Sequence, residues 1–275
     1  MYSRVYVEIT NICNMNCSFC HGHSRDFRSI NEEEYAHILR ELKGKTKYIY
    51  HHLMGEPLIH PLLPKFIQMA IDEGFHPMIT TNGTLFDKTG DSLLIKGLHK
   101  VNISLHSFEE DNTEEHKNYI RSVAEFSKKA HETGILISLR LWNNGFDEGK
   151  NDIAVKTLKE EISGEWSVMK NGGYRIRNGL FLEWGDRFDW PDENAPEGNS
   201  SIYCHGLSDH FGILCDGTVV PCCLDSEGVI NLGNIFKENL SDILSSPKAK
   251  ALFEGFKQRK ASEDLCRRCG YARKF

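Results

Sequence analysis

Arg4-Val5-Tyr6-Val7-Glu8-Ile9-Thr10 runs directly into Asn11-Ile12-Cys13-Asn14-Met15-Asn16-Cys17-Ser18-Phe19-Cys20. The first seven residues alternate in polarity and are rich in β-branched side chains, the pattern of a strand. The loop that follows carries cysteines in a C-x3-C-x2-C spacing. Three thiolates on one loop can hold three irons of a four-iron cluster, since soft sulfur ligands suit iron–sulfur chemistry. The missing fourth ligand leaves one iron open to a small chelating molecule. The competing assignment is a structural zinc loop.

Downstream of this loop, strand-like and helix-like segments alternate at roughly 30-residue spacing, the length of a βα unit. Asn31-Glu32-Glu33-Glu34 predicts a capped helix start, with Tyr35, Ile38, Leu39 and Leu42 on one face and Gly44 as the stop. Strands are expected at Tyr48–Leu53, His76–Thr81, Val101–His106 and Ile135–Trp142. Helices are expected from Pro61 to Gly74, up to Gly97, over Thr113–Thr133 and over Asp152–Ile162, with a last strand at Tyr174–Trp184. Repeated βα units imply a parallel sheet. Chemically unusual residues cluster after each strand, at Cys13, Gly55-Glu56-Pro57, Thr81-Asn82-Gly83, Ser104 with His106, and Arg140. In a barrel that is the catalytic face. The expected fold is therefore α/β, a partial barrel. Asp186–Ser201, rich in Pro, Gly and acidic residues, is expected to be the linker out of it. One domain should span residues 1–195 and a Cys-rich module 196–275, the latter with a helical stretch at Leu240–Phe256 broken near Pro247.

The 275 residues carry a net charge of −6 and 40% hydrophobic residues, enough to bury one large core. A mildly acidic chain argues against a dedicated nucleic-acid binder. No apolar run reaches the roughly 18 residues of a membrane span, and Met1–Glu8 shows no apolar leader. The expected location is the cytoplasm, where thiols stay reduced. Nine cysteines there need a reason other than disulfides. They fall into two blocks, Cys13, Cys17 and Cys20, then Cys204, Cys215, Cys222, Cys223, Cys266 and Cys269. That distribution predicts two metal sites.

Preceded by a strand and with an aromatic before its last cysteine, the first loop resembles the signature of the radical S-adenosylmethionine (radical SAM) superfamily. The resemblance implies a (β/α)6 TIM-like partial barrel and a [4Fe-4S] cluster on Cys13, Cys17 and Cys20. The open iron of that cluster would take S-adenosylmethionine, split reductively to a 5′-deoxyadenosyl radical. Met54-Gly55-Glu56-Pro57 resembles the family's Gly-Gly-Glu-Pro segment, with Met in place of the first Gly, and implies contact with the methionine amino group. By the same resemblance, the backbone near Phe19 would meet the adenine, Thr81 and Asn82 would lie against the cofactor, Ser104 would take ribose or carboxylate, and Arg140 the cofactor carboxylate.

The second block resembles the auxiliary-cluster modules of the SPASM and twitch subgroups, in which a Gly-turned hairpin delivers the second cysteine. This implies a second [4Fe-4S] cluster on Cys204, Cys222, Cys266 and Cys269, with a swap of Cys222 for Cys223 left open. The chain ends soon after Cys269, which favours the shorter twitch form. Four thiolates would saturate that cluster and leave it an electron carrier. His106, Trp142 and Glu183 are candidate catalytic residues, with Asp189, His21 and His23 as further possibilities; each has an ordinary packing or surface alternative. Arg267-Arg268 is most simply a charged turn.

The implied activity is an oxidoreductase that abstracts a substrate hydrogen and oxidises or rearranges the substrate, with small-molecule dehydrogenation slightly favoured. Its partners would be a small-molecule or peptide substrate and an external one-electron reductant such as flavodoxin or ferredoxin. The alternatives are a SPASM-type peptide- or protein-modifying maturase and a non-catalytic protein binding two zinc ions.

Overall fold

The computed structural model describes residues 1–170, 172–198 and 201–274, the side chains of 273 and 274 excepted. Strands β1 (Arg4–Val7), β2 (Tyr48–Tyr50), β3 (His76–Thr81), β4 (Lys100–Ser104) and β5 (Leu136–Leu141) pair in parallel, each with the next. The strand expected at Tyr174–Trp184 is instead a hairpin. After the two-residue β6 (Ser167–Val168), β7 (Tyr174–Arg177) turns through Asn178-Gly179 into β8 (Leu180–Trp184). Asn-Gly is a strong hairpin turn, and here it interrupts a β-rich run long enough to read as one strand. Only β8 joins β5 in parallel, as the sixth barrel strand.

On the opposite edge, β9 (His210–Ile213) adds in parallel to β1, and β10 (Val219–Val220) folds back antiparallel to β9. The sheet order is β10-β9-β1-β2-β3-β4-β5-β8-β7-β6. Strands beyond residue 195 thus continue the barrel sheet. Part of the expected linker, Asn199 and Ser200, lies outside the described residues.

Alternation along the strands decides the two faces. Val5 and Val7 of β1, Ile49 of β2 and Ile79 of β3 are fully buried under the helices. Tyr6 and Tyr50 point the other way and stack at 5.0 Å inside the sheet's curve. Helix α1 (Glu32–Leu42) forms as its sequence dictates, with Glu34 N donating to Asn31 Oδ1 and Asn31 N to Glu34 Oε2, both at 2.9 Å. Its Tyr35, Ile38, Leu39 and Leu42 are buried, and Tyr35 stacks on Phe66 of α2 (Leu63–Asp72) at 4.3 Å.

The helix expected up to Gly97 breaks into a single turn, α3 (Phe86–Thr89), and a 3-10 turn at Gly90–Leu93. There Phe86 stacks on Phe126 at 3.9 Å, and a Cβ at Gly90 would meet that ring at 3.2 Å. Helices α4 (Thr113–Glu132) and α5 (Lys150–Glu161) pack on each other and complete the outer layer. The Cys-rich end holds α6 (Leu240–Leu244), α7 (Pro247–Lys257), broken from α6 where the sequence predicts, and the short α8 (Asp264–Arg267). Among the described residues no helix is long and apolar enough to cross a membrane.

Candidate active site and cluster positions

The predicted site segments of the barrel lie where parallel strands end at their C-terminal edge, the face on which barrels gather their chemistry. The three-cysteine loop follows β1, Gly55-Glu56 follows β2, Asn82 follows β3, His106 follows β4 and Trp142 follows β5. His106 sits in a 3-10 turn, Leu105–Ser107, not in the strand expected to reach it.

The loop is held from several sides. Asn14 donates to Thr84 Oγ1 (2.9 Å), and Asn82 Nδ2 donates to Asn14 Oδ1 (2.9 Å). Ser18 N donates to Glu109 Oε2 (2.7 Å), and Cys17 Sγ lies 3.5 Å from the Ser107 carbonyl. Burial pushes the Cys17 thiol up to about 12, with Glu109, Cys20 and Cys13 adding to it; burial likewise raises Cys13. Thiols raised in this way stay protonated until a cation takes them, so iron loading releases protons.

Gly55 packs its backbone against the entry to this loop. It takes φ +75°, and a Cβ there would fall 2.4 Å from the Thr10 carbonyl oxygen. Glu56 N donates to the Ile12 carbonyl at 2.9 Å. The Glu56 carboxylate, 2% exposed, accepts from Leu58 N (2.9 Å), Thr81 Oγ1 (2.7 Å) and Asn82 N (2.8 Å). Burial pushes it up to about 7, and these hydrogen bonds pull the other way. With its carboxylate oxygens so engaged, Glu56 shapes the turn more than it faces outward, and its own carbonyl accepts from Ile59 N at 3.1 Å.

Inside the barrel, Arg140 donates from Nη2 to Asn102 Oδ1 (2.7 Å), stands 4.5 Å over the Trp142 ring and lies 3.8 Å from Glu183. Arg140, Trp142 and Glu183 therefore meet in one cluster. Ser104 is beside them in register with Arg140. His106 Nδ1 is 3.1 Å from the Arg140 carbonyl; burial, then Arg140 and Arg187, lower its pKa to about 4, so it is neutral at pH 7. Its ring lies 4.9 Å from Phe19. The Phe19 carbonyl already accepts from Trp190 Nε1 at 3.1 Å. His21 stacks loosely on Trp190, while His23 Nε2 bonds the Asn11 carbonyl. Asp189 contributes its carbonyl to Gly270 N at 3.1 Å, a packing role. Arg268 donates to the Ala195 carbonyl and so ties the module to the preceding stretch, whereas Arg267 pairs with Asp264 within its own short helix.

Four of the six cysteines of the second block come together. Cys204, Cys222, Cys266 and Cys269 line a single pocket whose walls include Pro191, Ile202, Pro221 and Phe256. The hairpin that brings Cys222 there turns at Gly217, where φ is +88° and a Cβ would sit 2.4 Å from the Phe236 ring. Burial raises Cys222, Cys204 and Cys266, and the thiols raise one another. Cys223 points away from this pocket. It packs with Leu53, Met54, Leu214 and Val220 and is hydrogen-bonded to Tyr6. Cys215, fully buried, lies 3.8 Å from Arg25 Nη1. Among the described residues no three or more His, Cys, Asp or Glu side chains gather around a point fit for a single metal ion. Four thiols around one pocket, and a three-cysteine loop in which Cys13 and Cys20 both raise the Cys17 thiol, are donor sets whose soft sulfurs suit an iron–sulfur cluster.

A parallel barrel with a three-thiol loop at its C-terminal edge and a four-thiol pocket beside it defines the iron–sulfur enzymes that make radicals from a bound cofactor. The chain belongs to the radical SAM superfamily: the superfamily profile matches residues 7–143, and that of the SPASM iron–sulfur cluster-binding domain matches residues 204–270. Its cofactors are those of the family, S-adenosylmethionine with a [4Fe-4S] cluster, and an auxiliary iron–sulfur cluster in the second domain.

Among curated relatives, the AdoMet-dependent heme synthase of Methanosarcina barkeri is 28% identical over 69% of this chain and 53% of its own length. The GTP 3′,8-cyclase of Chlorobaculum tepidum is 30% identical over 39% of this chain and 34% of its own. The chain thus spans about a third to a half of the curated relatives it matches. Among solved structures, BtrN in complex with AdoMet and 2-DOIA superposes with a TM-score of 0.59 at 18% identity, over 98% of this chain and 93% of that one. Streptococcus suis SuiB bound to S-adenosylmethionine superposes with a TM-score of 0.62 at 16% identity, over 92% and 68%. These likenesses establish the fold.

Three residues important to the arrangement were invisible in sequence: Glu109, Trp190 and Arg187. Each reaches the cluster loop from far along the chain, and none stands in a motif.

Proposed function

We propose that this chain is a cytoplasmic radical SAM oxidoreductase that acts on a small polar substrate. The observation that carries the reading is the four-cysteine pocket beside a three-cysteine loop. Cys13, Cys17 and Cys20 would hold the cofactor-binding cluster. Cys204, Cys222, Cys266 and Cys269 would hold the auxiliary one, and four thiolates leave no iron open, which suits electron transfer. When bound, the cluster and S-adenosylmethionine supply a carbon radical that removes a hydrogen atom from the substrate.

The protein's own part is positioning. The carbonyls of Met54 and Gly55 would receive the cofactor amino group. Thr81 and Asn82 fix that turn through Glu56, while Ser104 and Arg140 offer a hydroxyl and a guanidinium to the cofactor's ribose or carboxylate. Arg140 lends itself to bidentate carboxylate contact through its planar fork. Trp142 and Glu183 brace the guanidinium, and Glu183 offers a carboxylate to a substrate hydroxyl. His106 stays neutral near pH 7 and packs on Phe19, so it contributes shape and at most a weak base. The barrel interior, with Tyr6, Tyr50, Lys100, Asn102 and Arg140 as donors and Glu183 as an acceptor, is matched to hydroxyl and carboxylate groups, which favours a small polar substrate over a peptide. A flavodoxin- or ferredoxin-type protein would supply electrons.

The test is anaerobic reconstitution followed by an iron count, expected at about eight per chain, and 5′-deoxyadenosine release under reductant. Cys13→Ala, Cys17→Ala or Cys20→Ala should abolish release. Cys266→Ala should leave release intact and suppress the oxidised product at least about tenfold. Zinc in place of iron, or release that survives Cys17→Ala, would sink the proposal.

A further inference from the structure

Glu8 is a carboxylate with no exposure, and nothing in the proposed chemistry uses it. Its Oε1 accepts from Arg25 Nη2 (2.7 Å) and Met54 N (3.1 Å); its Oε2 accepts from Arg25 Nη1 (2.9 Å) and Cys215 N (3.0 Å). Arg25 Nε donates onward to the Ser226 carbonyl at 2.8 Å. Next to it, Ser24 donates twice to the Glu227 carboxylate, and Arg28 donates to the Cys215 carbonyl. One ion pair therefore touches three functional segments. Arg25 follows Cys20 on the cluster loop, Met54 opens the Gly55-Glu56 turn, Cys215 lies in the turn of the hairpin that delivers Cys222, and Ser226 follows it.

A buried ion pair kept only for stability is a poor bargain, because desolvation offsets most of the attraction. A carboxylate with a two-pronged cation on one side and backbone amides of two distant segments on the other is a rigid junction instead. We infer that the Glu8–Arg25 pair is a positioning device that couples occupancy of the cofactor site to the order of the auxiliary hairpin. Ordering Met54–Glu56 around a ligand fixes Glu8 Oε1. Because the guanidinium holds both oxygens, Oε2 and the Cys215 amide are fixed with it. The inference rests on Met54–Glu56 being the segment that meets the cofactor.

Hydrogen–deuterium exchange of the reconstituted full chain, with and without S-adenosylmethionine, tests it. In the wild type the cofactor should slow exchange about tenfold at residues 54–56 and also at 213–217. Arg25→Lys keeps the charge but cannot bridge both Glu8 oxygens and Ser226. In that variant the slowing should persist at 54–56 and vanish at 213–217. Wild-type slowing confined to 54–56 overturns the coupling and leaves the cofactor segment standing; so does a folded Arg25→Lys protein with slowing at both. Absence of slowing at 54–56 overturns the cofactor assignment and the coupling together. The wild-type comparison decides the matter even if the lysine variant does not fold.

Discussion

At Gly55 the backbone takes φ +75° within 2.4 Å (by an added Cβ) of the Thr10 carbonyl oxygen, so no other residue fits without moving the cluster loop. Gly55→Ala should cost about 1–3 kcal/mol of stability and weaken cofactor binding, read by urea unfolding and by equilibrium dialysis; unchanged binding would remove this turn from the site. Its neighbour Glu56 titrates at about 7 in the folded chain, against 4.5 for an unperturbed glutamic acid. Between those values the folded state keeps a proton that the unfolded state has lost. The group's contribution therefore falls as pH rises from about 4.5 to 7 and is flat above. Cofactor-free wild type should lose up to about 3 kcal/mol relative to Glu56→Gln across that window, measured by urea unfolding at several pH values. Parallel curves would mean that the carboxyl titrates normally. The three-cysteine spacing and the Gly-Glu-Pro turn were legible in sequence because each is local. Which of Cys222 and Cys223 faces the pocket was not, since consecutive residues on a turn differ only in where the surrounding fold leaves room.

Elements were legible in proportion to how local their causes are. Helix α1 declares itself by a capping box, a four-residue apolar stripe and a stop glycine, and α4 by its stripe from Tyr119 to Ala130. Asn31→Ala removes the acceptor for Glu34 N and should cost about 1 kcal/mol, seen as a melting temperature lowered by a few degrees; no change would mean that packing alone fixes the helix start. The segment before Gly97 misled because its apolar residues suit a helix, while Phe86 against Phe126 leaves room for only one turn. Strand β9 was legible as half of a hairpin and illegible as a neighbour of β1, because parallel pairing between Arg4 and His210 leaves no local trace.

For the whole molecule, two cysteine groups separated by most of the chain are brought onto one continuous sheet. β1 leads into the first group and pairs with β9, which leads toward the second. The superfamily and the barrel followed from sequence because the ligands and the βα rhythm repeat what the chemistry and the sheet require. The contacts that join the two regions did not, because Arg25 on the Ser226 carbonyl, Ser24 on the Glu227 carboxylate and Arg4 on Asp209 each bring together residues about 200 positions apart.

The stretch from Asp186 to Gly198 lies between these regions like a shared strap. Trp190 ties down the Phe19 end of the first loop, and Asp189 clasps Gly270 beside the second thiol set. One proteolytic cut among its exposed residues near Glu193 should therefore loosen both thiol sets together. The two visible chromophores would then bleach with a common half-time, while bleaching of one alone would mean that the two sets are held separately.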